Sequence, residues 1–112
     1  MPTVNLYYRN KSIESEIADI IKPLKSYIAK KLTCGEISLS PEEVSIRVMH
    51  VALGGGMMAD IELDITAASF RERVDGQDQI CLDVQAYVKQ QIRDVVEVNV
   101  WLNLHELGHS FE

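Results

Sequence analysis

The chain has 112 residues, of which 46% are hydrophobic and 25% are charged, which predicts one domain with a single core. The net charge of −6 and the dispersed lysines and arginines argue against a nucleic-acid partner, and no apolar run is long enough to predict a membrane span. The N-terminal residues carry no apolar signal segment, and Cys34 and Cys81 lack CxxC spacing, so we expect a cytoplasmic protein with reduced thiols.

The first half of the chain has the order strand, helix, strand. Residues 3–8 alternate between apolar and polar and predict a short strand. Apolar residues then recur near every 3.6 positions from 13 to 32, which predicts a helix capped by Ser12, bent at Pro23 and stopped by Gly35. Residues 44–52 alternate again and predict a second strand.

The second half has the same order. After a glycine-rich loop at 54–58, residues 59–67 alternate and predict a third strand. Ser69 and Glu72 have the spacing of a capping box and should open a second helix. The apolar stripe of that helix is predicted at Phe70, Val74, Cys81, Val84, Val88, Ile92 and Val95. Residues 96–104 predict the last strand.

The matching order suggests an internal duplication. Ser12 and Ser69 are 57 residues apart, as are the starts of the strands before them, which gives pseudo-repeats of about 2–53 and 59–104 within a single 1–112 domain, with a tail at 105–112. Right-handed crossovers predict an α+β fold, with a four-stranded sheet and two helices on one face. The other face would carry Asn5, Tyr7, Arg47, Met49, Asp60, Glu62, Asp64, Asn99 and Trp101. Its aromatic and methionine content predicts that a second copy of the chain covers part of it.

Residues 105–109 read HELGH, the His-Glu-x-x-His pattern of zinc peptidases. A zinc site of this kind needs both histidines on one face of a helix and a third protein ligand. Here the motif follows a strand pattern, Gly108 weakens any helix, and only three residues come after it. We therefore expect no metal, and a tail that packs over the sheet edge or a neighbouring subunit; a zinc hydrolase is the less favoured alternative.

Pro2 follows the initiator methionine directly. Removal of Met1 would expose a secondary amine, and an α-amino group has an ordinary pKa of about 7.7–8.0, close to the range useful for a general base. Burial in an apolar pocket would lower the pKa of this amine further. Pro2 is thus a candidate acid/base for moving a proton along a conjugated acid; its alternative role is a simple strand-start residue.

The order of several short motifs resembles the tautomerase superfamily, and within it most closely the 5-carboxymethyl-2-hydroxymuconate isomerases. These motifs are "MP" at the start, "IRVMH" in the second strand, "MAD" after the glycine loop and the final strand with its "EL" tail. The resemblance implies a tautomerase/MIF-like fold, a homotrimer, and Pro2 as acid/base. It also implies cofactor-free keto–enol isomerisation of a small unsaturated carboxylic acid in aromatic catabolism.

The resemblance also implies substrate-binding residues. Arg47 matches the arginine that the family places in the second strand to bind a substrate carboxylate, and a guanidinium suits that task. An ion pair with Asp60, Glu62 or Asp64 is the alternative. Lys11 lies near the position of a second substrate-binding arginine, with Arg9 as its substitute, although both are equally typical of loop cations.

Tyr8 is a further candidate, because its ring could form an apolar wall of the site or pack in the core. One departure from the family is the turn before the second helix. Residues 67–70 read Ala-Ala-Ser-Phe in place of the expected "GRS" turn, and Arg71 and Arg73 fall on the helix. A binding or interaction protein with this fold but without catalysis is therefore the alternative function.

Overall fold

Two parallel strand pairs, joined through an antiparallel centre, form the sheet of this protein. The computed structural model describes residues 2–35, 38–54, 56, 58–95 and 97–106. The strands are β1 (Thr3–Tyr8), β2 (Ser45–His50), β3 (Ile61–Ala68) and β4 (Val98–His105), in the spatial order β2-β1-β3-β4. β1 and β2 are parallel, β1 and β3 antiparallel, and β3 and β4 parallel. The four predicted strands are confirmed.

The first helix, α1 (Glu14–Leu32), begins later than predicted. A single 3-10 turn, Lys11–Ile13, precedes it, and the Asn10 side chain caps that turn by accepting a hydrogen bond from the Ser12 backbone nitrogen at 3.0 Å. The prediction of Ser12 as the cap was therefore wrong, because the asparagine two residues earlier satisfies the free backbone donor. The helix ends at Leu32 with Thr33 as its C-cap, so Gly35, whose φ is +52°, belongs to the turn that follows and is not the helix stop that was predicted.

The second helix is divided into α2 (Arg71–Asp75) and α3 (Gln77–Gln91). Gly76 separates them, and Phe70 rather than Ser69 holds the N-cap position without a side-chain hydrogen bond. The capping box predicted from Ser69 and Glu72 is not formed. Val74 is 48% exposed while Ile80 joins the core, because the buried face runs through Arg73, Ile80, Val84 and Val88, one position earlier than predicted at its start.

The core lies between one sheet face and the helices. Its sheet residues alternate along the strands and its helix residues follow the 3.6-residue period, as the sequence predicted. The fully buried side chains with the largest volumes are Leu6, Ile17, Leu24, Ile28, Leu32, Ile61, Leu63, Ile65, Ile92, Val4, Val44 and Val84. The α+β architecture with both helical segments on one face is confirmed. Within the described ranges, no helix combines the length and the apolar character needed to cross a membrane.

Candidate functional site

Pro2 lies buried at the end of the sheet where β1 and β2 begin and β3 ends. The Ser45 backbone nitrogen donates a 3.1 Å hydrogen bond to the Pro2 carbonyl, which fixes the backbone there. Val44 and Ala67, the neighbours of Pro2 along the two adjoining strands, are 1% and 0% exposed. An amine at this position would have an apolar surrounding, which disfavours its charged form. Met1 lies outside the described residues.

Tyr8, Arg9 and Lys11 lie at the opposite end of β1. A six-residue strand at about 3.3 Å per residue separates them from Pro2 by about 20 Å. A single chain therefore does not bring these three predicted site residues to Pro2. A site that contained both groups would have to be formed between two chains.

The predicted residues at this far end also have partners of their own. Tyr8 is buried, and its hydroxyl donates a hydrogen bond to Glu14, which raises the pKa of Tyr8 above its usual value. The Arg9 guanidinium lies 3.2 Å from an Asp60 carboxylate oxygen. His50 packs its ring against Tyr8, with 5.1 Å between the ring centroids. Lys11 is exposed.

Arg47 lies in the middle of β2, exposed on the sheet face opposite the helices, beside Asn5 of β1. Among the residues that the structure describes, no carboxylate lies within 4 Å of its guanidinium. The ion pair considered from the sequence is thus not formed within the described part of one chain. Arg47 has a free guanidinium face that a substrate carboxylate could engage.

The sheet face that carries Arg47, here called the open face, is largely polar and carries two large aromatic side chains, Tyr7 and Trp101. A shallow cleft of about 340 Å³ on it is lined by Tyr7, Glu62, Asp64, Trp101 and Asn103. Asn103 donates a hydrogen bond to Asp64, and Asn99 donates one to Glu62. Trp101 is 50% exposed. The carboxylates are thus held by carboxamides, and the indole is left as the main apolar surface of the face.

A larger cleft of about 720 Å³ lies between α3 and the edge strand β4. It is lined by Gln77, Asp78, Cys81, Leu82, Gln85, Asn99, Val100, Trp101 and Leu102. The side chains of Gln77 and Gln85 each donate a 2.7 Å hydrogen bond to a β4 carbonyl, at Leu102 and Val98. Burial raises the pKa of the Cys81 thiol, which keeps it protonated and a weak nucleophile at neutral pH. The sequence did not predict this cleft, since its two walls come from distant segments.

Arg73 is the buried charge that the sequence analysis missed. It is 3% exposed; its Nε donates to the Leu32 carbonyl and its Nη1 to the Ala68 carbonyl, both at 2.9 Å. The unbroken helical stripe predicted from the sequence put Val74 in the core and left Arg73 outside. The available signal was the spacing, because Arg73 lies seven residues before Ile80, which is followed at intervals of four by Val84 and Val88 on the same helical face.

The HELGH motif lies mostly outside the described residues. His105 is the last residue of β4, so the motif does follow a strand, as predicted. Glu106 is exposed, and residues 107–112 are not described. Within the described ranges there is no group of three or more histidine, cysteine, aspartate or glutamate side chains that could hold a metal ion.

Comparison with known proteins gives structural matches only. No protein-family model and no curated protein matches the sequence. Among solved structures, the wild-type F6 fused 4-OT, an asymmetric trimer, is similar with a TM-score of 0.62 and 16% identity over 96% of this chain and 91% of that chain. N1, a member of the cis-3-chloroacrylic acid dehalogenase family, is similar with a TM-score of 0.55 and 13% identity, over 94% and 74% of the two chains.

A macrophage migration inhibitory factor-like protein from Entamoeba histolytica is also similar, with a TM-score of 0.51 and 16% identity over 95% of this chain and 88% of that chain. This chain has the tautomerase/MIF-like fold. The fold predicted through the resemblance is therefore confirmed. The likeness to 5-carboxymethyl-2-hydroxymuconate isomerases, the pseudo-repeat boundaries and the site residues stay predictions.

Proposed function

We propose that this protein is a cofactor-free keto–enol tautomerase that acts on a small unsaturated carboxylic acid of the 2-hydroxymuconate type. The observation that carries the proposal is the burial of Pro2 at the end of the sheet, in a chain whose fold is shared with a fused 4-OT and a cis-3-chloroacrylic acid dehalogenase family member. Once Met1 is removed, the Pro2 nitrogen is a secondary amine in an apolar surrounding and acts as the general acid/base.

The reaction needs one proton and no external electron donor or acceptor. The Pro2 amine takes the proton from the enol hydroxyl, and the O–H electron pair forms the carbonyl while the electrons of the conjugated double bonds shift towards carbon. The protonated amine then returns the proton to that carbon. A guanidinium that binds the substrate carboxylate holds the chain of double bonds in place and stabilises the negative charge that develops. Arg47 has this role in the proposal, and because it lies on the open face while the Pro2 ring lies on the helix side of the same sheet, it would act in the site of a neighbouring copy.

The complete site is proposed to form between copies in a homotrimer. Arg9 and Lys11 lie about 20 Å from Pro2 within one chain, so they reach substrate only in the site of a neighbouring copy, whereas Tyr8 at the same end packs in the core. The half-exposed Trp101 on the open face supports association, since aromatic side chains are enriched at protein–protein interfaces. The fused 4-OT is a trimer, which supports the same number of copies here.

The decisive experiment joins mass spectrometry of the mature protein to an enol assay on the same sample. Loss of Met1 should be seen first. The processed protein should then convert phenylenolpyruvate or 2-hydroxymuconate to its keto form, as followed by ultraviolet absorbance. In Pro2→Ala we expect kcat/KM to fall by about 100-fold or more, because the rigid secondary amine is lost and acid/base catalysis contributes about 10²–10⁴-fold.

Pro23→Ala is the matched control, since Pro23 lies exposed inside α1, on a different element from the proposed base, and its loss should leave kcat/KM within about twofold. A processed protein that is inert toward both enols, or a Pro2→Ala variant with full activity, would overturn the proposal. Inert but correctly processed protein would instead favour the non-catalytic binding function, with the cleft between α3 and β4 as the place to look for a bound small molecule.

A further inference from the structure

Arg73 is a buried cation with no carboxylate within 4 Å in the part of the chain that the structure describes, although Arg73 and the Glu72 carboxylate both interact with the Cys34 thiol. Its guanidinium is held by two backbone carbonyls, and it makes none of the ion pairs found within 4 Å. Charged side chains are expensive to bury and are normally paired. Leu32 is the last residue of α1, so the negative end of the helix dipole compensates part of the charge. The rest of its field extends into the surrounding apolar core.

The guanidinium lies at the same end of the sheet as Pro2. Ala68, whose carbonyl it binds, is the last residue of β3, and the pairing of Thr3 with Thr66 places Pro2 opposite Ala67. Neighbouring strands are about 4.8 Å apart and successive residues of a strand about 3.3 Å, so one strand spacing, one residue step and a hydrogen bond put the guanidinium on the order of 10 Å from Pro2. By strand alternation the Pro2 ring also shares the helix side of the sheet with Val4.

Two exposed carboxylates, Glu42 and Glu43, lie in the turn just before Val44, where water screens them. The described neighbours of Pro2 on β2 and β3 are Val44, Ser45, Thr66 and Ala67, none of which titrates near neutral pH. Burial, aided by a hydrogen bond with Glu72, raises the pKa of the Cys34 thiol, so this thiol is neutral at pH 7. The Glu72 carboxylate opposes the field of Arg73, but it is solvent-exposed and screened by water. His105, at the end of β4, is exposed as well.

We propose that Arg73 is a positioning residue that keeps the Pro2 amine unprotonated at neutral pH. This inference rests on the proposed function, because it requires Met1 to be removed. A fixed positive charge destabilises a second positive charge nearby, so protonation of the amine becomes less favourable. For two positive charges about 10 Å apart in an effective dielectric constant of about 20, the repulsion lowers the Pro2 titration midpoint by about one pH unit. The same two hydrogen bonds that clamp α1 to β3 hold the charge at this distance.

The test is a ¹⁵N NMR titration of the processed protein labelled in its prolines, which requires no substrate. The chain has three prolines, and only the terminal one has a titrating nitrogen. In Arg73→Gln the Pro2 midpoint should rise by about one pH unit, because the charge is lost while an amide donor remains for the carbonyls. In Arg73→Lys, which keeps the charge, it should stay near the wild-type value. Arg73→Met is a second neutral variant in case the glutamine variant does not fold.

Arg71→Gln is the matched control. Arg71 lies on the same short helix, but its side chain is 93% exposed and its pair with Asp75 is long, at 3.9 Å. Removal of this charge should leave the Pro2 midpoint unchanged, because water screens it. A purely structural role for Arg73 predicts that the lysine and glutamine variants shift the midpoint alike, and this result would overturn the proposal.

The wild-type titration is also decisive without any variant. A Pro2 midpoint at or above the ordinary range of about 7.7–8.0 for an α-amino group would contradict a stabilised neutral amine. If the Arg73 variants leave the midpoint unchanged while Pro2→Ala abolishes activity, the role of Arg73 fails and the proposed function stands. If the mature protein retains Met1, the proposed function fails and this inference fails with it.

Discussion

Four arginines of this chain differ in burial and in their hydrogen-bond and ion-pair partners, and these differences determine what each guanidinium can bind. Arg9 is paired with Asp60, and Arg71 has only a distant partner at 3.9 Å. Arg73 is buried against two carbonyls, whereas Arg47 is exposed and has no ion pair among the described residues. Of the four, Arg47 combines an accessible guanidinium with an unoccupied hydrogen-bonding face. It is therefore the one best suited to bind a carboxylate from solution.

Arg47→Met should raise KM for a carboxylated enol between about 10- and 150-fold. The range follows from the loss of a charge-assisted hydrogen bond, which contributes about 1.5–3 kcal/mol. Steady-state kinetics with the enol assay would measure the change, and Arg71→Met, which removes an equally exposed cation elsewhere, should leave KM near the wild-type value. An unchanged KM in Arg47→Met would mean that the substrate carboxylate binds elsewhere.

The two long helices are fastened to each other on the side away from the sheet. Tyr27 of α1 stacks on Tyr87 of α3 with 4.1 Å between ring centroids, and Lys31 of α1 donates a 2.9 Å hydrogen bond to Asp83 of α3. The hydrogen bond from Lys31 lowers the pKa of Asp83, and the same bond raises the pKa of Lys31. The link between the helices therefore depends on both charges.

The stabilisation from Lys31 and Asp83 should depend on pH at both ends of the scale. Because the folded-state pKa of Asp83 is lowered, its contribution is complete above the unfolded pKa of about 3.9 and is lost as the pH falls through the lowered value. Because the pKa of Lys31 is raised, its contribution is complete below about 10.4 and is lost as the pH rises through the raised value. The wild type should therefore have a higher free energy of unfolding than Asp83→Asn. The difference between the two values should be constant between about pH 4 and 10 and should become smaller below and above this range.

Denaturant titrations at a series of pH values would measure this difference. Asp75→Asn is the control, since Asp75 is 72% exposed and 3.9 Å from Arg71, and the corresponding difference should be small at every pH. If the difference in the free energy of unfolding between the wild type and Asp83→Asn stays the same at acidic pH, the charge of Asp83 does not stabilise the contact between the helices.

At the scale of the whole molecule, the open face is the surface that a single chain leaves without a packing partner. Polar hydrogen bonds between carboxylates and carboxamides cover much of it, while Trp101 remains half exposed. Sedimentation equilibrium should give three times the 12.6 kDa mass of one chain. Trp101 is the one tryptophan in the sequence, so its emission should shift to shorter wavelength as the chains associate.

Trp101→Glu should move the equilibrium toward the monomer, because a charge would be buried in the contact. Leu53→Glu is the matched control: Leu53 is 91% exposed in the loop after β2, and the same substitution there should not change the mass. Wild-type chains that sediment as monomers at every concentration would contradict the trimer and the shared site.

The sequence by itself determined the four strands, their buried faces and the existence of the helices. Alternation and the 3.6-residue period are local properties of the sequence. The burial of residues such as Leu63 in β3 and Leu24 in α1 can therefore be predicted from their immediate neighbours in the chain. The same patterns also led to the fold class, because two strand–helix–strand units with right-handed crossovers leave few arrangements.

The tertiary structure alone decided which chemical groups lie together. The burial of Arg73 depends on the Leu32 carbonyl, 41 residues earlier in the chain, and no local pattern contains that distance. The separation of Pro2 from Arg9 and Lys11 follows from the extended shape of β1, and the cleft beside Trp101 from the packing of α3 on β4. Periodicity determines which face of a strand or helix a residue occupies. The residues that it contacts there belong to segments that are distant in sequence.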